Sequence, residues 1–216
     1  DGDGITDGLE ITTTKTNPVV AETDGDGTSD GDELTVNDVL DVTRDTDGDG
    51  LINALDADSD NDGMTDAQEH TGYTTVIATV TTNITTDPYV ADTDADGLSD
   101  GFENGTGTNG SLADSDADGL TDGAEVRTWG TNPVIADTDG DGLNDGSELT
   151  GVASTDVDGD GRNNAIDTDS DGDGILDNAE AGFGTQVYTA DTDGDGLTDG
   201  EEITAYHTNP TNSDTD

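Results

Sequence analysis

An acidic motif, D-x-D-x-D-G-x-x-[D/N]-x-x-[E/D], recurs ten times in 216 residues, and an eleventh copy begins at Asp214. Carboxylates at alternate positions of a tightly turning backbone aim at one point, and glycine at the sixth place permits the sharp turn. A hard dication of the size of calcium takes about six to eight oxygen ligands, which such a loop can supply. The motif therefore predicts a series of calcium-binding loops.

In each loop we expect the side chains of the first, third, fifth, ninth and twelfth residues, and the backbone carbonyl of the seventh, to bind the cation. Nine loops are complete, the first copy lacks its first ligand, and the last copy stops after two. The predicted ligands of the first five loops are Asp1, Asp3, Ile5, Asp7 and Glu10; Glu22, Asp24, Asp26, Thr28, Asp30 and Glu33; Asp45, Asp47, Asp49, Leu51, Asn53 and Asp56; Asp58, Asp60, Asp62, Met64, Asp66 and Glu69; and Asp92, Asp94, Asp96, Leu98, Asp100 and Glu103. Those of the later loops are Asp114, Asp116, Asp118, Leu120, Asp122 and Glu125; Asp137, Asp139, Asp141, Leu143, Asp145 and Glu148; Asp156, Asp158, Asp160, Arg162, Asn164 and Asp167; Asp169, Asp171, Asp173, Ile175, Asp177 and Glu180; Asp191, Asp193, Asp195, Leu197, Asp199 and Glu202; and finally Asp214 and Asp216.

This register accounts for almost all of the acidity of the chain. All but five of the 54 acidic residues occupy predicted ligand places, and the exceptions are Asp32, Asp38, Asp41, Asp87 and Glu201. The sixth place is glycine in every loop that reaches it. A disordered acidic tail has no reason to keep this spacing, so general acidity does not explain the pattern.

The composition excludes an ordinary apolar core. The formal net charge is −50, and 27% of the residues are hydrophobic. Without cations such a chain is expected to be disordered, so we predict that folding and calcium binding are one event, with one ion in each of the nine complete loops. The predicted fold is an irregular, calcium-stabilised repeat array: tandem EF-hand-like loops with short helical turns and extended linkers, no large hydrophobic core, and the shape of an elongated rod.

The spacing of the loops divides the chain into two blocks of five, residues 1–113 and 114–213, and residues 214–216 begin a further repeat. Only the first block carries a β-branched, almost uncharged insertion, residues 73–86. Two interpretations of this insertion are open. It predicts either a local hairpin or strand that covers the neighbouring repeat, or an edge strand that pairs with another chain.

The third loop of each block differs from the others. It has asparagine at the ninth place, Asn53 or Asn164, and aspartate instead of glutamate at the twelfth, Asp56 or Asp167. A single residue separates it from the fourth loop. We therefore expect the third and fourth loops to form closely spaced pairs of cation sites.

The linkers are also patterned. Each of the four prolines stands four residues before the first ligand of a loop, where it favours an extended entry into that loop. The residues after the ninth ligand are expected to form one or two helical turns. Small apolar clusters between repeats are predicted from Leu98, Leu120, Leu143, Ile175 and Leu197 together with Ile11, Leu34, Val126, Leu149 and Ile203, and packing between repeats is predicted for Trp129 and Tyr206.

The register D-T-D-G-D-G-L-x-D-G-x-E, followed by a T-N-P linker and another such loop, resembles the bacterial type of thrombospondin type 3 repeat over essentially the whole chain. The resemblance implies calcium-bound rods, poor in apolar core, that act as spacers in secreted and surface proteins. Animal repeats of this type are rich in cysteine, and this chain has none, so the resemblance carries over no disulfide framework. Residues 58–73 also resemble the paired calcium loops of binary-toxin translocation components.

The sequence favours a non-enzymatic role as a stalk, spacer or filament shaft of a secreted or surface protein. Cytosolic calcium is too scarce for loops whose stability depends on occupancy, so we expect an extracellular or cell-surface location. The alternatives are a calcium-dependent adhesion or docking module that binds a protein or glycan, and an accessory region of a secreted toxin. Ten loops in series favour the spacer, because a docking module needs only two.

The remaining expectations concern partners. The negative charge makes nucleic acid and anionic membranes poor partners, and no apolar run predicts membrane insertion. Self-association into a fibre would use the uncharged residues 73–86. Asn83, Asn104 and Asn109 head N-x-[S/T] sequons and are candidate glycan sites, as are threonines.

Overall fold

The computed structural model describes residues 1–77 and 79–215. The chain divides into two compact units, Asp1–Ser115 and Asp116–Asp216. Each unit is a succession of acidic loops, short helices and linkers, and the first unit also contains two small two-stranded sheets. This architecture is the irregular repeat array that the sequence predicts. The five-loop blocks are defined by loop spacing, and that grouping stays a prediction.

A short helix begins at the ninth residue of most loops. The residue before it, at the eighth place, caps the helix in several cases: a side-chain oxygen accepts a hydrogen bond from the backbone N–H three residues ahead in Ser29, Thr65, Ser99, Thr121 and Thr198. The helices are α1 (Asp7–Leu9), α2 (Asp30–Glu33), α3 (Asp66–Thr71), α4 (Asp100–Thr106), α5 (Asp122–Ala124), α6 (Asp145–Leu149), α7 (Asp177–Phe183) and α8 (Asp199–Glu201). These helices bury the twelfth residue one turn after the ninth.

Three of the helices widen as they end. A π-helical turn follows α1, α5 and α8, over Glu10–Thr14, Glu125–Trp129 and Glu202–Tyr206. Each wide turn starts at the twelfth residue of its loop and stops at a left-handed residue. In the third loop of each block a 3₁₀ turn, Asn53–Leu55 or Asn164–Ile166, replaces the α-helix.

The insertion forms a local antiparallel hairpin, which confirms the first of its two interpretations. Strand β3 (Tyr73–Ile77) pairs with β4 (Val80–Ile84), and Tyr73 lies opposite Ile84. The Tyr73 hydroxyl donates to the carbonyl of Thr108 at 3.0 Å and accepts from the amide of Gly110 at 2.7 Å. These bonds fix the hairpin on the segment that follows α4. A smaller hairpin joins β1 (Thr35–Val36) to β2 (Val39–Leu40).

The apolar interior consists of separate small clusters. One contains Ile5, Leu34 and Ala54, a second contains Met64, Tyr73 and Ile84, and a third contains Leu120, Leu149 and Ala165. The prediction of small clusters is confirmed, with Leu34, Leu120 and Leu149 among its correct members. The predicted members Ile11 and Val126 are exposed because they lie on the outer side of the wide turns.

The two aromatic residues that stand four places before a linker proline behave differently. Trp129 packs against the cluster of Leu120, Leu149 and Ala165, as predicted, and its carbonyl accepts from the Asn163 side chain at 2.8 Å. Tyr206 is 59% exposed, so the equal role predicted for it is wrong. Trp129 packs because the loop that begins at Asp156 supplies Ala165 and Asn163. No helix in the described ranges is long and apolar enough to span a bilayer.

Candidate metal centres

Two left-handed residues give each loop its curvature. Glycine at the sixth place has positive φ, for example 103° at Gly50 and 101° at Gly142, as the motif predicts. The fourth place is left-handed as well, and there Ala95 and Ala117 adopt φ of 64° and 63°. An L-residue in this region is strained. The strain indicates that the loop geometry, and not the local preference of the residue, determines the conformation.

The first and fifth carboxylates hold the loop backbone in place. In the loop that begins at Asp137, the two Asp137 oxygens accept from the amides of Gly140 and Gly142 at 2.8 and 3.0 Å. Oδ1 of Asp141, at the fifth place, accepts from the amide of Leu143 at 2.8 Å. The carboxylates thus turn inwards, towards the concave side of the loop. The predicted ligand at the seventh place is the backbone carbonyl of Leu143. The amide of the same residue is already held by the carboxylate at the fifth place.

The twelfth residue supplies the deepest carboxylate. Glu33 and Glu148 are fully buried, and neither oxygen of either side chain has a hydrogen-bond partner within the described chain. A buried, unpartnered carboxylate is costly unless a cation compensates it. Both oxygens of Glu180 and Glu202 are likewise buried without a hydrogen-bond partner in the described chain. By contrast, Glu10, Glu69 and Glu125 each have one oxygen bonded to a threonine, as Glu125 is to Thr131 at 3.0 Å. These orphaned oxygens fit a bound cation.

The electrostatics of the same groups agree with that fit. Burial, and next the nearby Asp26, raises the pKa of Glu33 from 4.5 to about 10. Burial and then Asp141 raise the pKa of Glu148 to about 9. At the third place, burial and Asp62 raise the pKa of Asp60 to about 7. Carboxylates in such surroundings repel one another, and a dication among them would remove both costs.

The donor atoms converge within single loops. Ligand atoms lie within 4.8 Å of one another in the groups Asp1, Asp3 and Glu10; Glu22, Asp24 and Asp26; Asp45, Asp47 and Asp49; and Asp58, Asp60 and Asp62. Every donor in these groups is a carboxylate oxygen. Oxygen-only sites suit calcium, magnesium or manganese, whereas zinc and copper prefer nitrogen or sulfur. The residues present therefore fit the hard dication that the motif predicts.

The ninth residue has a position that the sequence did not reveal. Its carboxylate is braced by the second residue of its own loop: Thr138 donates its amide and hydroxyl to the two oxygens of Asp145 at 2.8 and 2.6 Å. Ser59 and Asp66 repeat the arrangement at 2.8 and 2.7 Å. The hydrogen bonds of the ninth residue thus join the end of the loop to its beginning, independently of any bound ion.

The same carboxylate also reaches the cluster of an earlier loop. Ligand atoms of Asp66 lie within 4.8 Å of those of Asp26 and Glu33, and all three residues are buried. In the second unit the side chain of Asp177 lies beside Asp141, and Asp177 is one of the charges that raise the pKa of Glu148. A cluster therefore draws carboxylates from two loops. The motif gives no sign of this, because the linkers that bring the loops together carry no ligands.

The loops that begin at Asp45 and Asp156 differ from the rest. Asp49 and Asp160, at the fifth place, are exposed. The twelfth residue is a short aspartate whose Oδ1 accepts from the amide that opens the next loop, at 3.2 Å for both Asp56 and Asp167. Within the described chain neither loop contains a buried carboxylate oxygen that lacks a hydrogen-bond partner. Their donors gather at the surface.

The predicted ligands at the two ends of the chain, and the two histidines of the linkers, have different surroundings. Asp1, Asp3 and Glu10 come together although the first place of their loop is missing. Asp214 is exposed, and Asp216 lies outside the described residues. Both histidines make only surface contacts: His70 Nδ1 lies 3.3 Å from the Thr28 hydroxyl, and His207 Nδ1 lies 3.0 Å from the Ile203 carbonyl.

Comparison with protein families decides the identity of these loops. The profile of the bacterial TSP3 repeat matches eight segments, residues 1–21, 23–37, 58–71, 92–109, 114–134, 137–151, 169–185 and 191–213. The chain belongs to the bacterial TSP3 repeat family. TSP3 repeats are structural, calcium-binding repeats and not an enzyme family.

The matched TSP3 segments leave out residues 38–57 and 152–168, which contain the two loops with surface donors. Two independent features, the profile and the burial of the carboxylates, thus separate the same two loops from the other eight.

Two solved structures resemble short parts of the chain. A "Biofilm associated protein - BSP domain" is 44% identical over 19% of this chain and 7% of that one, with a TM-score of 0.19. A "Biofilm associated protein - B domain" is 42% identical over 20% of this chain and 11% of that one, with a TM-score of 0.20. The chain therefore spans a small part of either structure. No curated protein matches the chain.

Proposed function

We propose that this TSP3 array is a calcium-binding structural segment that calcium folds and stiffens. The observation that carries the proposal is the burial of Glu33 and Glu148 with both oxygens unpartnered beside aspartates of the same loop. Such a group destabilises a fold unless a cation is bound. The proposed complement is one calcium ion per complete loop, in nine loops.

The shape and placement that we propose follow from charge and calcium supply. The formal charge of −50 repels itself along the chain, and nine dications offset only about a third of it, so an extended rod is favoured. Free calcium near millimolar is an extracellular condition, and extracellular calcium modules bind with dissociation constants of about 10⁻⁴ to 10⁻³ M. We therefore place the segment in a secreted or cell-surface protein, as a stalk, spacer or filament shaft.

A second candidate is a calcium-dependent adhesion or docking module that binds a protein or a glycan. The hairpin β3–β4 favours it, because Val76 and Val80 are 58% and 62% exposed on strands that carry no charge. The same hairpin is where we place a contact between chains in a fibre. Asn83 and Asn104 are exposed and Asn109 is half-buried, so the three stay candidate glycan sites, and the role of a toxin accessory region stays a weaker alternative.

The test of the proposed function is calcium dependence with a measured stoichiometry. Calorimetric titration of the chelated 216-residue chain should give about nine ions, and circular dichroism should show a cooperatively melting helical state only in calcium. Small-angle scattering with calcium should then give an elongated particle. A chelated chain that keeps its helical signal and melts cooperatively, or a chain that binds no calcium at millimolar concentration, would reject the proposal. A spacer leaves glycan and protein arrays unbound, whereas an adhesion module does not.

A further inference from the structure

The fifth carboxylate of a loop forms a hydrogen bond to a later loop. Oδ1 of Asp118 accepts from the amide of Leu120 in its own loop, and Oδ2 accepts from the amide of Gly146, both at 2.8 Å. Gly146 is the tenth residue of the loop that begins at Asp137, and it lies in the first turn of α6. One side chain thus joins the centre of one loop to the start of the helix in another.

The same junction recurs in both units. Oδ2 of Asp173 accepts from the amide of Gly200 at 3.0 Å, and its Oδ1 accepts from Ile175 at 2.6 Å. Oδ2 of Asp62 accepts from the amide of Gly101. In every case a fifth-place aspartate bonds to a tenth-place glycine. The two loops are separated by a linker, so the junction is not a consequence of local sequence.

The tenth residue has to be glycine because the backbones touch. A β-carbon on Gly101 would lie 2.6 Å from the carbonyl oxygen of Asp62, and β-carbons on Gly31, Gly146 and Gly200 would lie closer still to the carbonyl oxygens of Asp3, Asp118 and Asp173. Separations below 3.0 Å force the backbone to shift. None of these glycines has positive φ. Close approach, and not conformational freedom, is the reason for glycine here.

Some other tenth-place residues of the described chain lack the junction. Gly8 is also a tenth-place glycine, but a β-carbon there would meet nothing within 4 Å. In the loops that begin at Asp45 and Asp156 the tenth residues are Ala54 and Ala165, which lie in apolar clusters. The chain therefore contains coupled and uncoupled examples of the same position.

We propose that these junctions couple cation binding in one loop to the ordering of the next, in three pairs: the loop that begins at Asp58 with that of Asp92, Asp114 with Asp137, and Asp169 with Asp191. When a cation fixes the fifth-place carboxylate of the first loop, its Oδ2 becomes a rigid acceptor for the tenth-place amide of the second loop. The helix of the second loop then begins against this fixed acceptor. The second loop then loses less conformational freedom when it folds. The loops of Asp45 and Asp156 stand outside this scheme. The proposal rests on the proposed calcium binding.

The first test needs no substitution. Hydrogen exchange of the 216-residue chain, followed by mass spectrometry over a calcium titration, gives a protection midpoint for each loop. Residues 116–125 and 137–148 should become protected at the same calcium concentration, and residues 45–56 and 156–167 at a different one. Separate midpoints within a pair, or one midpoint shared by every loop, would overturn the proposal.

The second test is the pair Gly146→Ala and Gly8→Ala. Gly146→Ala should split the shared midpoint of residues 116–125 and 137–148 and raise the calcium needed by the second of them about 5-fold or more, the usual lower range for coupling between sites. Gly8→Ala should leave every midpoint within about 2-fold of the unsubstituted chain, because its side chain enters open space. Equal behaviour of the two variants would refute the junction.

The outcomes separate this proposal from the function on which it rests. If calcium protects no loop in the unsubstituted chain, calcium binding itself is rejected. If calcium protects the loops but the midpoints do not group in the stated pairs, only the coupling fails. Should Gly146→Ala abolish folding of its unit, Gly200→Ala provides a second pair in which to make the same measurement.

Discussion

Ligand atoms of Glu33 and Asp66 lie within 4.8 Å of each other, although the two residues belong to loops separated by a third loop and two linkers. Asp66 is held there by Ser59, which occupies both of its oxygens. The carboxylate therefore arrives already oriented. A centre built in this way depends on a residue that no inspection of its own loop would identify.

Replacing Asp66 with asparagine should weaken calcium binding in the loop of Glu22 as well as in its own loop. Losing one charged oxygen donor should cost about tenfold or more in affinity. Amide exchange of residues 22–33 against calcium concentration measures the effect. Asp38→Asn is the control, since Asp38 is exposed, lies outside the register and loses the same charge. An effect confined to residues 58–69 would contradict the shared cluster.

The Glu148→Gln substitution should act in opposite directions with and without calcium. In calcium it should lower the melting temperature, because a bidentate ligand is lost. In chelator it should leave residual structure unchanged or increase it, because a buried charge becomes a neutral amide. Thermal melts followed by circular dichroism, with calcium and with chelator, measure both effects. Glu201→Gln, at an exposed cap that glutamine can also form, should change neither melt, and a fall in both conditions for Glu148→Gln would argue for a purely structural role.

Acid should favour the calcium-free fold. The pKa of Glu33 is raised to about 10 and that of Glu148 to about 9, mainly by burial. The folded form therefore binds more protons than the unfolded chain, so this contribution to stability is complete below pH of about 4.5 and is lost as the pH rises to about 9 or 10. Helical signal in calcium-free buffer should fall between those limits.

The double substitution Glu33→Gln and Glu148→Gln should make the helical signal of the calcium-free chain less dependent on pH. In calcium, the helical signal of the unsubstituted chain should rise with pH, because protons and calcium compete for the same oxygens. A calcium-free helical signal that rises with pH would contradict the assignment.

Strain at the fourth place can be relieved. Ala117→Gly should stabilise the calcium-bound chain by about 1 kcal/mol, because alanine at φ of 63° is strained and glycine is not. Gly140→Ala, at the equivalent place with φ of 81°, should destabilise it by about as much. Melting temperatures in excess calcium provide the comparison. Stabilities that move in the same direction for both variants would mean that contacts, and not backbone conformation, dominate this position.

The sequence predicted what each loop does within itself. The sixth-place glycines, the helices that begin at residues such as Asp66, and the burial of the twelfth carboxylate all follow from a motif whose parts lie close together in the chain. The left-handed fourth place was missed, although glycine at that place in most loops was a usable signal and only Ala95 and Ala117 gave none.

Relations between loops were not predictable. The placement of Asp66 beside Glu33 and the approach of Gly146 to Asp118 depend on how the linkers fold back. The linker sequences do not indicate how far apart they hold the ligands of two loops. The recurrence of glycine at the tenth place was a usable signal. Glycine is absent from the tenth place of four loops, at Ala54, Ala67, Ala165 and Asn178, and the family profile omits two of these four loops.

The division of the apolar interior into small, separate clusters bears on how such a chain can change over generations. A cluster such as Met64, Tyr73 and Ile84 is completed by residues close to one loop and its hairpin, so it makes no demand on the total number of loops. The clusters of Ile5, Leu34 and Ala54 and of Leu120, Leu149 and Ala165 each draw on three successive loops. Tandem duplication or loss of a whole group of loops would therefore alter the reach of the chain without requiring compensating changes in a common core. Length in this architecture is free to vary, while the ligand register within each repeat is not.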